Sequence, residues 1–188
     1  RPVVLDSNGA WEAVLENAYD IIVTGEINGE DTLSFKIPYR DGKRGYIDSE
    51  KKIQIVDDVY KVRTVTDTRD TDGSAVTEVY AEAEFYDLTF SVRKEERTFE
   101  AEYPEAAMAY ALEGTEWSVG TVTVRTQRTW TSTEKNALSI LRNTADLHGG
   151  DLVFDCPNRL VHLLTVNGKD SGALFAYKKN MKSIQRVV

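Results

Sequence analysis

The residues with the most chemical potential are one cysteine and two histidines, His148, Cys156 and His162. Thiolate and imidazole are zinc ligands, and a thiol beside an imidazole can act as a nucleophile. A structural zinc site needs four ligands at tighter spacing than these, and Asp151 or Asp155 would have to complete the set. A catalytic thiol needs an activating and orienting partner. Cys156 instead precedes Pro157 in a segment that reads as a hairpin turn, with nothing around it that marks a nucleophile elbow. The simpler reading makes Cys156 a small buried hydrophobe and His148 the last residue of a helix, placed against its dipole. No metal, cofactor or catalytic residue is expected.

The carboxylates Glu78, Glu82 and Glu84 alternate with Val79, Ala81, Ala83 and Phe85. Paired carboxylates can work as acid and base, but the alternation is already that of a strand with one solvated and one buried face. Gly168-Lys169-Asp170-Ser171-Gly172 has the composition of a phosphate loop without its spacing and reads as a turn. No Gly-x-Ser-x-Gly occurs. Lys178, Lys179, Lys182 and Arg186 form a basic stretch with no acid after Asp170. A solvated strand face explains it; the functional alternative is a charge-complementary interface.

The elements that would position these residues are mostly strands. Ile21-Ile22-Val23 and Thr32 to Ile37 flank Asn28-Gly29, a hairpin signal because both residues tolerate positive φ. Leu33, Phe35 and Ile37 alternate with polar neighbours. Ile53, Ile55, Val59, Val62 and Val65 follow, and a run from Val59 to Arg69 turns at Asp72-Gly73 into Ala75 to Phe85. Ala10 to Ala18 fits helix or strand. This pattern predicts an N-terminal antiparallel, barrel-like domain over 1–92. The charge run Arg93 to Arg97 reads as a solvated connection. Beyond it, a small α/β unit over 93–188 is expected, giving an α+β, β-rich fold. Its first helix, about 104–113, starts at Pro104 and stops at Gly114. Its second, about 132–148, has Thr131 and Glu134 as a capping box and Gly149 as its stop. Trp117 to Val124, Leu152 to Phe154 and Leu160 to Leu164 read as strands. A last strand pattern reaches Ile184-Gln185-Arg186-Val187-Val188 with nothing to terminate it, so the second unit is expected to be incomplete and the chain a piece of a longer one.

Composition narrows the function classes. The 188 residues are 41% apolar and 29% charged, the balance of a globular protein with a real core. One cysteine permits no intrachain disulfide. No apolar run approaches membrane-spanning length, so no membrane anchor is expected. The net charge of −8 is opposite to that of proteins that grip nucleic acid by its phosphates.

Four blocks carry a family likeness: Gly25 to Phe35; Tyr80 to Leu88; Tyr110 to Gly120; and Leu163-Leu164 through Gly168 to Gly172 and on to Tyr177 to Ile184. In this order they resemble the N-terminal part of the tail-tip hub proteins of long-tailed phages and prophages, known as tail-associated lysins or prophage endopeptidase tail proteins. They are similar to the baseplate hub of contractile-tailed phages. The resemblance implies a virion structural protein made in the host cytoplasm. It implies a homotrimer whose barrel-like domains ring the tube, with the distal tail protein ring, the tape-measure protein and the tail tube as neighbours. Genome DNA would pass through without specific binding, and any wall hydrolase or fibre region would lie downstream. On this reading Lys178, Lys179, Lys182 and Arg186 face protein rather than the channel. The rival readings are a peptidoglycan hydrolase module, for which no positioned base or metal is visible, and a carbohydrate-binding β module, for which Trp11, Trp117 and Trp130 are too scattered.

Overall fold

The computed structural model describes residues 1–69, 71, 73–92, 95–133, 136–166 and 168. Seven strands form one antiparallel sheet: β1 (Val3–Leu5), β2 (Trp11–Val14), β3 (Tyr19–Gly25), β4 (Asp31–Pro38), β5 (Lys52–Ile55), β6 (Asp58–Arg69) and β7 (Ala75–Ala83). Their order is β2-β1-β5-β6-β7-β4-β3, and the sheet curls into a half-barrel. The period-two alternation of β4 decides which face turns inward. Leu33, Phe35 and Ile37 stand across from Ala81, Val79 and Thr77 of β7, and all six are buried. The same inward layer takes Val4, Ile53, Tyr60 and Val62. Burying each large apolar side chain there stabilises the fold by about 1.5–3 kcal/mol.

A 3-10 turn over Glu84–Phe90 leads out of the sheet. The remaining elements are β8 (Arg97–Glu102), α1 (Pro104–Leu112), β9 (Ser118–Val122), β10 (Arg128–Ser132), α2 (Ala137–His148), β11 (Asp151–Asp155) and β12 (Leu160–Leu164). β8 pairs with β10, and β11-β12-β9 form a second small sheet in which β12 and β9 run parallel. The two helices pack on each other. One hydrophobic core runs through the half-barrel and this helix–strand unit, from Val4 to Leu163.

Several expectations are met. Pro104 opens α1. Gly149, at φ +81°, caps α2, and its N–H donates to the Ala145 carbonyl. Cys156 lies in the turn between β11 and β12.

Other expectations need correction. The Ala10 to Ala18 segment, open between helix and strand in the sequence, holds strand β2. Helix α2 begins at Ala137 instead of near 132. Its cap is Asn136, whose side chain accepts from the Ser139 N–H at 2.9 Å. Thr131 belongs to β10, where it faces Thr98 across the strand pair; its supposed box partner Glu134 lies outside the described residues. Cross-strand pairing and the packing of Trp130 on Phe99, 5.1 Å between ring centres, outweigh the local cap signal. The basic stretch Lys178, Lys179, Lys182 and Arg186, the charge-run residues Arg93 and Lys94, the turn residue Asp72 and the segment from Lys169 onward also lie outside the described residues.

Candidate functional site

The region richest in specific interactions is the seam between the half-barrel and the helix–strand unit. The Asn28-Gly29 hairpin tip forms one contact. Asn28 takes the left-handed conformation, φ +58°, which Asn tolerates better than most residues. Its amide nitrogen donates to the Gly150 carbonyl at 3.0 Å, and its amide oxygen accepts from the Leu152 N–H at 2.6 Å. The side chain thus meets the backbone either side of Asp151 as a neighbouring strand would. Arg142 of α2 donates to the Gly29 carbonyl at 2.7 Å, and its guanidinium lies 5.6 Å from the Tyr86 ring centre.

Aromatic stacking forms the second contact. Phe85 stacks on Phe154 with ring centres 4.0 Å apart, and Trp117 meets the edge of Phe154 at 6.1 Å. Arg159 covers the outer face of Trp117 at 5.2 Å and reaches Glu84 at 3.5 Å. Glu84 also pairs with Lys52 of β5. Its carboxylate is buried, 8% exposed for the whole residue, and holds one cation from each side of the seam.

A groove of about 380 Å³ opens along this seam, lined by Asp31, Tyr60, Glu84, Phe154, Cys156 and Pro157 among others. Burial, followed by the negative charge of Glu84, pushes the Cys156 thiol up to about 11. A thiol so shifted stays protonated and is a poor nucleophile at neutral pH. Burial also raises the Asp31 carboxyl, against the opposing hydrogen bond from Tyr60, which donates to it at 3.0 Å.

The two histidines are engaged elsewhere. His148 is buried at the end of α2 with Nδ1 2.9 Å from the Thr126 carbonyl, so it serves packing as well as the helix terminus. His162 Nδ1 accepts from the Thr121 N–H at 2.8 Å. Its ring lies 2.6 Å from where a Cβ at Gly120 would stand, so a larger residue there would have to displace the imidazole. Among the described residues no three of His, Cys, Asp and Glu stand close enough to hold a metal ion.

The three strand carboxylates separate. Glu78 is exposed and pairs with Lys36 at 3.6 Å. Glu82 accepts from Arg63 at 3.1 Å. Glu84 departs from the expected solvated face: the chain leaves the strand at Ala83, and the turn carries Glu84 into the seam. Sequence reasoning missed Asn28, Arg142 and Arg159 as seam residues. Asn28 was visible only as a turn former, and the two arginines carried no local signal because their partners are far away in sequence.

Residues 2–83 match the family described as the prophage endopeptidase tail N-terminal domain, and residues 91–163 match the prophage endopeptidase tail domain. No curated protein matches the chain. Among solved structures it is similar to prophage tail protein gp18 from Listeria monocytogenes EGD-e, with 14% identity and a TM-score of 0.75, covering 96% of this chain and 56% of that one. The 43 kDa tail protein of prophage MuSo2 from Shewanella oneidensis shares 12% identity at a TM-score of 0.63, covering 97% and 58%. The tail protein from Neisseria meningitidis MC58 shares 13% at 0.58, covering 92% and 52%. At such identities the likeness is one of fold, and the chain spans little more than half the length of these proteins.

Proposed function

The chain belongs to the prophage endopeptidase tail family, and from that premise we propose that it forms part of the tail-tip hub, a structural ring that continues the tail tube and carries the host-facing regions. The observation that supports this most is the match of two tail domains, in order, along nearly the whole described chain. The seam agrees with it: Asn28, Arg142, Glu84 and Arg159 are committed to cross-unit contacts, as suits a part that holds a fixed shape. The word endopeptidase in the family description belongs to the family. In this chain the candidate thiol is held protonated, and the candidate carboxylates are ion-paired.

We treat 1–92 and 93–188 as the two hub units, and a virion tail as the protein's location. The distal tail protein ring, the tape-measure protein and the tail tube are its proposed neighbours. A net charge of −8 suits a ring through which DNA passes without being held.

Two experiments test this reading. Incubated with purified Gram-positive walls, the protein should release no muropeptides; release that disappears on Cys156→Ser or on substitution of a single carboxylate would establish the hydrolase reading instead. Light scattering on the complete protein should give a trimer. The combined reversal of Lys178, Lys179 and Lys182 to Glu should weaken it, because those lysines are proposed to face a neighbouring protein. A stable dimer, or a trimer indifferent to the reversal, would count against that assembly.

A further inference from the structure

The half-barrel sheet has two edges, and they are not alike. β2 is four residues long. The Val14 carbonyl on it is taken up by the Lys43 ammonium at 2.8 Å, and Lys51 pairs with Glu12 beside it at 2.7 Å. A short strand dressed with lysine is how monomeric sheets protect an edge. β3 is less protected: its protection is confined to its first residues, where Asp20 pairs with Lys36 of β4 and the register shifts between Tyr19 and Ile22. It is seven residues long, Tyr19 to Gly25, with no lysine and no proline. Among the described residues its only strand partner is β4.

The ladder shows what β3 offers. The Glu26 N–H donates to the Glu30 carbonyl at 2.7 Å, closing the hairpin. Hydrogen-bonded pairs alternate along an antiparallel ladder, so Thr24 with Thr32 and Ile22 with Ser34 face inward. Val23 and Gly25 then direct their N–H and C=O groups away from β4. Around them, large apolar side chains stand open to solvent: Ile22 is 58% exposed, Val23 48% and Tyr19 40%. The surroundings are acidic. Residues 19–38 carry Asp20, Glu26, Glu30 and Asp31 against the single cation Lys36, and Lys36 is already shared between Asp20 and Glu78.

From these observations we propose that β3 is a docking edge that accepts an extended, basic polypeptide segment as an added strand. Backbone hydrogen bonds to Val23 and Gly25 supply the pairing. Tyr19, Ile22 and Val23 receive alternate side chains, and the acids of the hairpin select a cationic partner. The proposal deepens the hub reading by giving the chemistry of one partner contact, and it rests on that reading only for the assignment of the partner to the tail.

The test uses the full chain and a labelled synthetic peptide with the sequence of residues 177–186, which carries four basic residues and a strand-like pattern. The peptide should bind and slow hydrogen exchange at the Val23 and Gly25 amides. Val23→Pro, which removes an outward N–H that β4 does not use, should weaken binding at least tenfold. Raised salt should weaken it, and a peptide with its Lys and Arg changed to Glu should not bind. A gentler variant, Ile22→Lys, keeps the backbone and should weaken binding in the same direction. The proposal is overturned by absence of binding, by equal binding of the acidic peptide, or by binding indifferent to both variants. It is also overturned if the Val23 and Gly25 amides are already protected in the chain alone. Those outcomes leave the hub reading standing, because that reading depends on where the protein lies in the particle.

Discussion

Asn28 shows how much a single residue can do in this fold. Its backbone makes the turn that the sequence announces, and its amide then bonds the far unit at two points. The substitution that separates the two roles is Asn28→Gly, since glycine keeps the positive φ without strain. Two hydrogen bonds at about 1 kcal/mol each predict a loss of about 2 kcal/mol in urea unfolding. A loss under about 0.5 kcal/mol would show that the hairpin tip does not hold the seam. The Asn-Gly pair was legible as a turn because turn chemistry is local. The clamp was not, because its partners stand over a hundred residues downstream. Cys156 reads from sequence as a small buried hydrophobe in a turn; the structure places it in that turn, half-buried against the core. The burial of Glu84 was hidden because period-two alternation continues to Phe85 on paper, while the chain turns out of the strand one residue earlier.

At the scale of elements, the outward face of β6 and β7 is organised by charge. Arg63 donates to Glu82, Glu50 and Asp87, while Lys61 reaches Glu50 and Asp87. Burial alone would raise the Asp87 carboxyl, but the hydrogen bonds from Arg63 and Lys61 outweigh it and hold Asp87 below its ordinary 3.8. A depressed carboxyl stabilises the fold above its unfolded pKa, and that contribution disappears as pH falls through the folded value. Asp87→Asn should therefore be less stable than the parent near pH 6, by on the order of 1 kcal/mol after solvent screening. The difference should shrink below pH 4. A difference that stays constant from pH 6 to pH 2 would assign the effect to packing instead of charge. The strands and hairpins of this sheet were readable because alternation and turn residues recur. The start of α2 was not. Thr131 and Glu134 satisfy a cap spacing, yet β10 runs through Thr131 to pair with β8, and a pairing between segments so far apart leaves no local mark.

At the scale of the molecule, one core joins the half-barrel to the helix–strand unit, and the seam fixes their relation through hydrogen bonds, aromatic stacking and a buried carboxylate. The proposed tail-tip ring would need such a fixed relation. The central claim is a position in a particle. The most direct test is gold-labelled antibody against this chain on phage particles produced from the genome that encodes it, viewed by electron microscopy. The account predicts label confined to the distal tip of the tail. Label along the tail shaft, on the head, or absent from particles that otherwise carry complete tails would contradict it.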